Sequence, residues 1–185
     1  MNKLASNEYI EQLRKLHEEN EKFGVGAQTS KHYEQIAKII QIKQIKTILD
    51  YGCGKGHFIN YIKEKFPDVT IVGYDIANPI YSENPSGQFD LVVCLDVMEH
   101  IEFGLLSDVL TDIKNKTSNI FVTTIANYPA KAQLPDGRNA HLIQIPFGQW
   151  FNIFSSFFRV DQFIRTHPQE GVFITTKHNT NADWR

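Results

Sequence analysis

Thr47-Ile48-Leu49-Asp50-Tyr51-Gly52-Cys53-Gly54-Lys55-Gly56 reads as a buried strand that ends in an acid and runs into a turn of alternating glycines. Ile48 and Leu49 supply the apolar strand, and the glycines leave backbone without a Cβ shield where a ligand can lie against main-chain N–H groups. A helix expected over 57–66 points its positive end at that turn. The spacing then separates ligand classes. A dinucleotide fingerprint places its third glycine two residues beyond Gly54 plus one, where His57 stands; here Gly56 comes one position early. Asp50 would repel a diphosphate but face a cationic amino-acid group favourably. A second apolar run, Val69 to Tyr74, ends in Asp75, a carboxylate placed to accept both hydroxyls of a ribose, with Ile76 beside it to cover an adenine face. A zwitterionic, sulfonium-bearing ligand fits this set better than a dinucleotide.

Periodicity extends the reading outward. Glu8 to Phe23 has helical spacing, with Tyr9, Leu13, Leu16 and Phe23 on one face and a break at Gly24-Val25-Gly26. A second helix is expected over 30–42, opened by Ser30 as a cap and turning Tyr33, Ile36, Ala37 and Ile40 inward. Strands are expected near 47–51, 69–74, 89–95, 119–125, 158–165 and 171–177, with further helices near 57–66, 104–115 and 147–156. Alternating strands and helices make an α/β chain with a doubly wound, mostly parallel sheet. The connection His167 to Gly171 is too short for a helical crossover, so the last two strands are expected to be antiparallel. Residues 1–46 are read as helices packed on a core of 47–185, a single domain overall.

Asp50-x-Gly52-x-Gly54-x-Gly56 followed by Asp75 resembles the first two motifs of class I S-adenosylmethionine-dependent methyltransferases. The segment Phe89-Asp90-Leu91-Val92-Val93-Cys94-Leu95-Asp96-Val97-Met98-Glu99-His100-Ile101 is similar to their fourth-strand motif. The block Leu134-Pro135-Asp136-Gly137-Arg138-Asn139-Ala140-His141-Leu142-Ile143-Gln144 is similar to a subgroup of small bacterial and phage-encoded members with a Gly-Arg-Asn-Ala-His segment. The likeness runs from about Tyr33 to Ile174. It implies a Rossmann-like methyltransferase fold and S-adenosylmethionine as cofactor, held by Asp50, Gly52, Cys53, Gly54, Gly56, Asp75, Ile76 and Asp96. One departure from the wider family is visible: only Ile76 to Phe89 separate Asp75 from Asp90, and Pro79 and Pro85 interrupt them. The third-strand edge is therefore expected to be shortened or missing, with the adenine pocket completed by backbone near Ser86 and Gly87. Asp90 is expected to start a strand and bond backbone.

Catalytic candidates gather after the strands. Asp96 lies at the carboxyl end of the strand over 89–95, the edge where open α/β sheets bind ligands. Two readings are open for Glu99 and His100: they cap and open a helix, or take part in chemistry. The segment 127–147 holds Pro129, Pro135, Gly137 and Pro146 and is expected to form a lid over the cleft. Within it Arg138 is a candidate clamp for a carboxylate or phosphate of the substrate, Asn139 a candidate for orienting a polar group, and His141 a candidate base, ahead of His100. The alternative is that these residues stitch the loop to the fold. Trp150 is a stacking candidate, although aromatic residues of this region belong more often to cores. No metal centre is expected, because Asp96, Glu99 and His100 form one short cluster without a distant complement.

Composition bounds the partners. The chain has 185 residues, 42% apolar, with 19 Lys plus Arg against 21 Asp plus Glu and a formal charge of −2. It can bury a real core and has no broad basic footprint for nucleic acid or anionic membrane. The opening residues lack a signal-peptide pattern and no run approaches a membrane span, so a cytoplasmic protein is expected. Cys53 and Cys94 suggest neither a disulfide scaffold nor a thiolate zinc site. The acceptor is expected to be a small molecule, sugar or glycan precursor methylated at oxygen or nitrogen, since the sequence carries neither a Pro-Cys catalytic loop nor an Asn/Asp-Pro-Pro-Tyr run. A cofactor-binding module without chemistry, and a nicotinamide-dependent oxidoreductase, are the alternatives.

Overall fold

A computed structural model describes residues 3–20, 23–24 and 30–178. Its helices are α1 (Asn7–Glu19), α2 (Tyr33–Lys43), α3 (His57–Lys65), α4 (Leu106–Lys116) and α5 (Phe147–Ser155). Its strands are β1 (Thr47–Tyr51), β2 (Thr70–Tyr74), β3 (Phe89–Cys94), β4 (Thr117–Ala126), β5 (Arg159–His167) and β6 (Glu170–Thr176). They form one six-stranded sheet in the order β2-β1-β3-β4-β6-β5. The first four strands in that order run parallel, and β6 pairs antiparallel with both β4 and β5. The mostly parallel sheet and the antiparallel closing pair follow the sequence reading. The third-strand edge is missing as expected: β2 is the edge, and the chain from 75 to 88 contains no strand.

Side-chain alternation along the strands divides the core between the two sheet faces. Leu49, Val92 and Phe121 join α4 and α5 residues such as Leu110, Trp150 and Phe154 on one face. Ile48, Leu91, Val93 and Val122 join Ile36, Ile40, Phe58 and Ile62 of α2 and α3 on the other. Trp150 belongs to this core and not to a substrate surface: it is 0% exposed, and its ring stacks on Phe154 at 5.5 Å. Asp90 behaves as expected, accepting from the backbone N–H groups of Lys46 and Thr47, each at 2.9 Å.

The N-terminal region departs in detail. Ser6 caps α1 by accepting from the Tyr9 N–H at 3.1 Å, and the helix stops at Glu19, so Phe23 lies beyond it. Of the glycine break, positions 25 and 26 lie outside the described residues. Ser30 to His32 form a short 3-10 turn, and α2 begins only at Tyr33 without a side-chain cap. Among the described residues, no helix is long and apolar enough to cross a membrane.

Candidate active site

The glycine turn joins β1 to α3 with Gly52, Gly54 and Gly56 all at positive φ (79°, 54° and 77°). Gly54 shows what this permits: a Cβ there would stand 2.3 Å from the Gly24 carbonyl oxygen. The turn does not present its N–H groups to a ligand, contrary to the reading from sequence. Gly52 and Cys53 donate to the Tyr74 carbonyl at 2.7 and 3.0 Å, Lys55 to the Gly24 carbonyl at 2.9 Å, and Gly56 to the Cys53 carbonyl at 2.9 Å. Gly54 donates to Oδ2 of Asp75 at 2.8 Å. The turn therefore offers close approach and shape, and keeps no main-chain nest for a diphosphate.

Asp75 organises the neighbouring strand end. Its Oδ1 accepts from the N–H groups of Ala77 and Asn78 at 2.9 and 3.1 Å, while Asn78 donates its amide to the Gly54 carbonyl at 2.7 Å. Asp50 is 3% exposed. Burial, reinforced by the nearby Asp75, pushes its carboxyl up to about 8. Asp50 and Asp75 open onto one cavity of about 500 Å³, which Gly52, Cys53, Gly54, Ile76, Asp96, His100 and His141 also line. That volume suits a small-molecule ligand.

The other predicted residues stand elsewhere. Gly56 is outside the cavity wall; a Cβ on it would meet the Tyr81 hydroxyl at 2.6 Å, so its role is to let the shortened β2–β3 connection pack down. Ser86 and Gly87 do not line the cavity either, whereas Ile76, Tyr51 and Tyr74 do. Arg138 also lies outside the cavity wall, and its guanidinium pairs with Asp136 at 2.6 Å. Asn139 holds the loop backbone: Oδ1 accepts from Ala130 and His141 N–H groups at 2.9 and 3.0 Å, and Nδ2 donates to the Ala130 carbonyl at 2.8 Å. Among the described residues, these hydrogen bonds and this ion pair are those of the stitching reading.

Two histidines meet in the cavity wall. The His100 and His141 rings lie edge to face with centroids 4.7 Å apart. His141 donates from Nδ1 to the Tyr128 carbonyl, which leaves its Nε2 as a lone pair. His100 sits in a short turn over 98–100 after β3, and burial lowers its affinity for a proton, with Asp96 opposing. Asp96 itself adopts a left-handed φ of 60° and donates its N–H to Thr124 Oγ1 at 2.8 Å. Such a conformation at a non-glycine residue is costly and concentrates at functional sites. Glu99 is 0% exposed and pins the end of β4, accepting from the Ala126 N–H at 2.6 Å; burial, then Asp96, raises its carboxyl well above the usual range.

Sequence reasoning missed the wall that α1 contributes. Tyr9, Leu13 and His17 line the cavity, and Tyr9 donates its hydroxyl to the His100 carbonyl. Ser6 binds Glu102 twice, from N to Oε2 at 2.6 Å and from Oγ to Oε1 at 2.8 Å. The available signal was the i, i+4 series Tyr9, Leu13, His17, which continues an apolar stripe into a histidine.

A methyltransferase-domain family model matches residues 6–161. The chain belongs to that family. No curated protein sequence matches this methyltransferase. Its fold is similar to that of 1,6-didemethyltoxoflavin-N1-methyltransferase from Burkholderia thailandensis, solved with its substrate and S-adenosylhomocysteine: TM-score 0.67, 16% identity, covering 97% of this chain and 93% of that one. Magnesium protoporphyrin IX methyltransferase from Synechocystis with bound S-adenosylhomocysteine gives TM-score 0.61 at 13% identity, covering 83% and 85%. The N-methyltransferase NodS from Bradyrhizobium japonicum, also with S-adenosylhomocysteine, gives 0.59 at 11%, covering 81% and 87%. The methyltransferase thus shares an architecture across proteins that differ widely in sequence.

Proposed function

We propose that this methyltransferase binds S-adenosylmethionine in the 500 Å³ cavity and moves its methyl group to an oxygen or nitrogen of a small-molecule acceptor, with sugars and glycan precursors included. The observation that carries the reading is the pairing of a buried Asp50 with Asp75 beside a glycine turn whose own N–H groups are already bonded. Such a floor suits a ligand bearing a positive charge and disfavours a dinucleotide diphosphate, which needs free donors. When bound, the cofactor supplies an electrophilic methyl group on a good leaving group.

The chain then has to bind, align and exclude water. Asp50 faces the amino-acid ammonium. Asp75 accepts from the ribose hydroxyls with the acceptor capacity left beside its three backbone bonds, and Ile76 covers the base. Asp96 stands between cofactor and acceptor, and α1 with the loop after β4 closes the opening. His141 offers Nε2 to an acceptor proton, its ring orientation held by the Tyr128 carbonyl.

Small-molecule acceptors also fit the cavity volume and the two similar proteins named for 1,6-didemethyltoxoflavin and magnesium protoporphyrin IX. The test is a thermal-shift titration with S-adenosylhomocysteine and NAD in parallel, followed by labelled methyl donor with fractionated extract. A rise in melting temperature with the former alone supports the reading. A rise with NAD alone replaces it with an oxidoreductase, and tight cofactor binding without any labelled product replaces it with a binding module.

A further inference from the structure

The chain brings three acceptor groups to one point. One ligand-capable atom from each of Asp96, His100 and His141 lies within 4.8 Å of the other two. His141 is the distant complement that Asp96 and His100 lacked in the sequence, and the loop after β4 folds back to deliver it.

The His141 imidazole is oriented by a backbone carbonyl through one nitrogen, which leaves the other as a lone pair. For His141 the anchor is Nδ1–H to Tyr128. For His100, Nδ1 is buried without any hydrogen-bond partner. A histidine whose second nitrogen donates to a carbonyl is the usual arrangement around a bound metal, since it sets both tautomer and ring direction. Two imidazole lone pairs and a carboxylate are all acceptors, and their convergence calls for a cation among them. The unpartnered His100 Nδ1 is an independent sign of the same need, because a buried polar atom without a partner is costly.

We propose that Asp96, His100 and His141 bind a divalent first-row transition-metal ion. The donor set points to zinc, cobalt, iron or manganese rather than magnesium or calcium, which prefer all-oxygen shells. Three protein ligands leave coordination positions open towards the cavity, the pattern of a catalytic rather than a structural centre. Its role in catalysis rests on the methyl-transfer reading: the ion would hold an oxygen acceptor and make its hydroxyl more acidic, its proton passing to solvent water. The acceptor oxygen then forms its bond to the methyl carbon as the carbon–sulfur bond breaks and its electron pair stays on sulfur. With the ion bound, His141 serves as its ligand in place of the base role given above, and the metal-held hydroxyl needs no side-chain base.

The test uses the full chain, stripped with a chelator and titrated with Co2+ while its visible absorption is followed; S-adenosylhomocysteine affinity is measured separately by calorimetry. One Co2+ per chain, displaced by Zn2+ and weakened at least ~10-fold in both His100→Gln and His141→Gln, supports the site. X-ray absorption on the wild-type Co2+ complex, expected to report two imidazoles, gives an answer that needs no variant. Absence of saturable Co2+ binding, affinity unchanged in both variants, or a wild-type complex without imidazole ligands overturns it. Binding of S-adenosylhomocysteine without Co2+ removes the metal site alone; binding of Co2+ without S-adenosylhomocysteine keeps the site and removes the methyl-transfer reading.

Discussion

Cofactor binding should release a proton from Asp50. In the free protein burial and Asp75 hold this carboxyl at about 8, so it is mostly protonated at neutral pH. Titration about 8 leaves ~0.9 proton on Asp50 at pH 7 and ~0.1 at pH 9. An ammonium brought against it favours the carboxylate and drives that proton off. The neighbouring groups do not supply it: burial keeps the Cys53 thiol protonated by pushing it up, and burial also lowers His17, which is already neutral at pH 7. Calorimetry of S-adenosylhomocysteine binding at pH 7, in buffers of low and high ionisation enthalpy, should give a slope near ~0.9 proton released, falling towards ~0.1 at pH 9. Affinity should rise between pH 6 and 8 by up to about 50-fold and then level off. The stability of the free protein has the matching sign. Because the folded value is raised, Asp50 contributes stability fully below its unfolded value near 4 and loses it as pH rises through about 8, so the melting temperature should fall across that window. Asp50→Asn should abolish the buffer dependence. A buffer-independent binding enthalpy at pH 7 in the wild type, or a proton release that survives Asp50→Asn, would refute the pairing.

Gly54→Ala places a Cβ 2.3 Å from the Gly24 carbonyl at a φ of 54°, and should destabilise the fold by more than ~1 kcal/mol in urea melts while weakening S-adenosylhomocysteine binding. Trp150→Ala should cost ~3–5 kcal/mol by the same melts, because the ring is wholly buried against Phe154; unchanged stability would return Trp150 to the surface. His141→Asn should slow methyl transfer ~10²–10⁴-fold in a labelled-donor assay while leaving S-adenosylhomocysteine affinity within about 3-fold; equal losses in both would make His141 structural.

The parts of this molecule that depend on neighbours in sequence were legible in it. The strand Thr47–Tyr51, the glycine turn and the following helix are set by local propensity and sterics, and the short link before Glu170 permits only an antiparallel closing pair. Proline content and chain length between Asp75 and Asp90 were enough to remove a strand. What depends on contacts far along the chain was not legible. The amphipathic pattern of α1 fixes which face is buried, yet says nothing of the surface it covers, and that surface is the cavity. Arg138 had an acid two residues away and pairs with it at 2.6 Å, outside the cavity wall. The meeting of His141 with Asp96 and His100 needed the loop after β4 to be placed in space, since no spacing rule joins residues from a strand end and a returning loop. The N–H groups of the glycine turn were misread because their acceptors, Tyr74, Asp75 and Gly24, come from other segments.

The grip of Tyr9 on the His100 carbonyl, together with the Ser6–Glu102 pair, fastens the first helix to the turn that carries His100 and to the residues just after it. Displacing α1 would break bonds that also steady His100, so any shift of that helix is felt directly at the histidine's backbone.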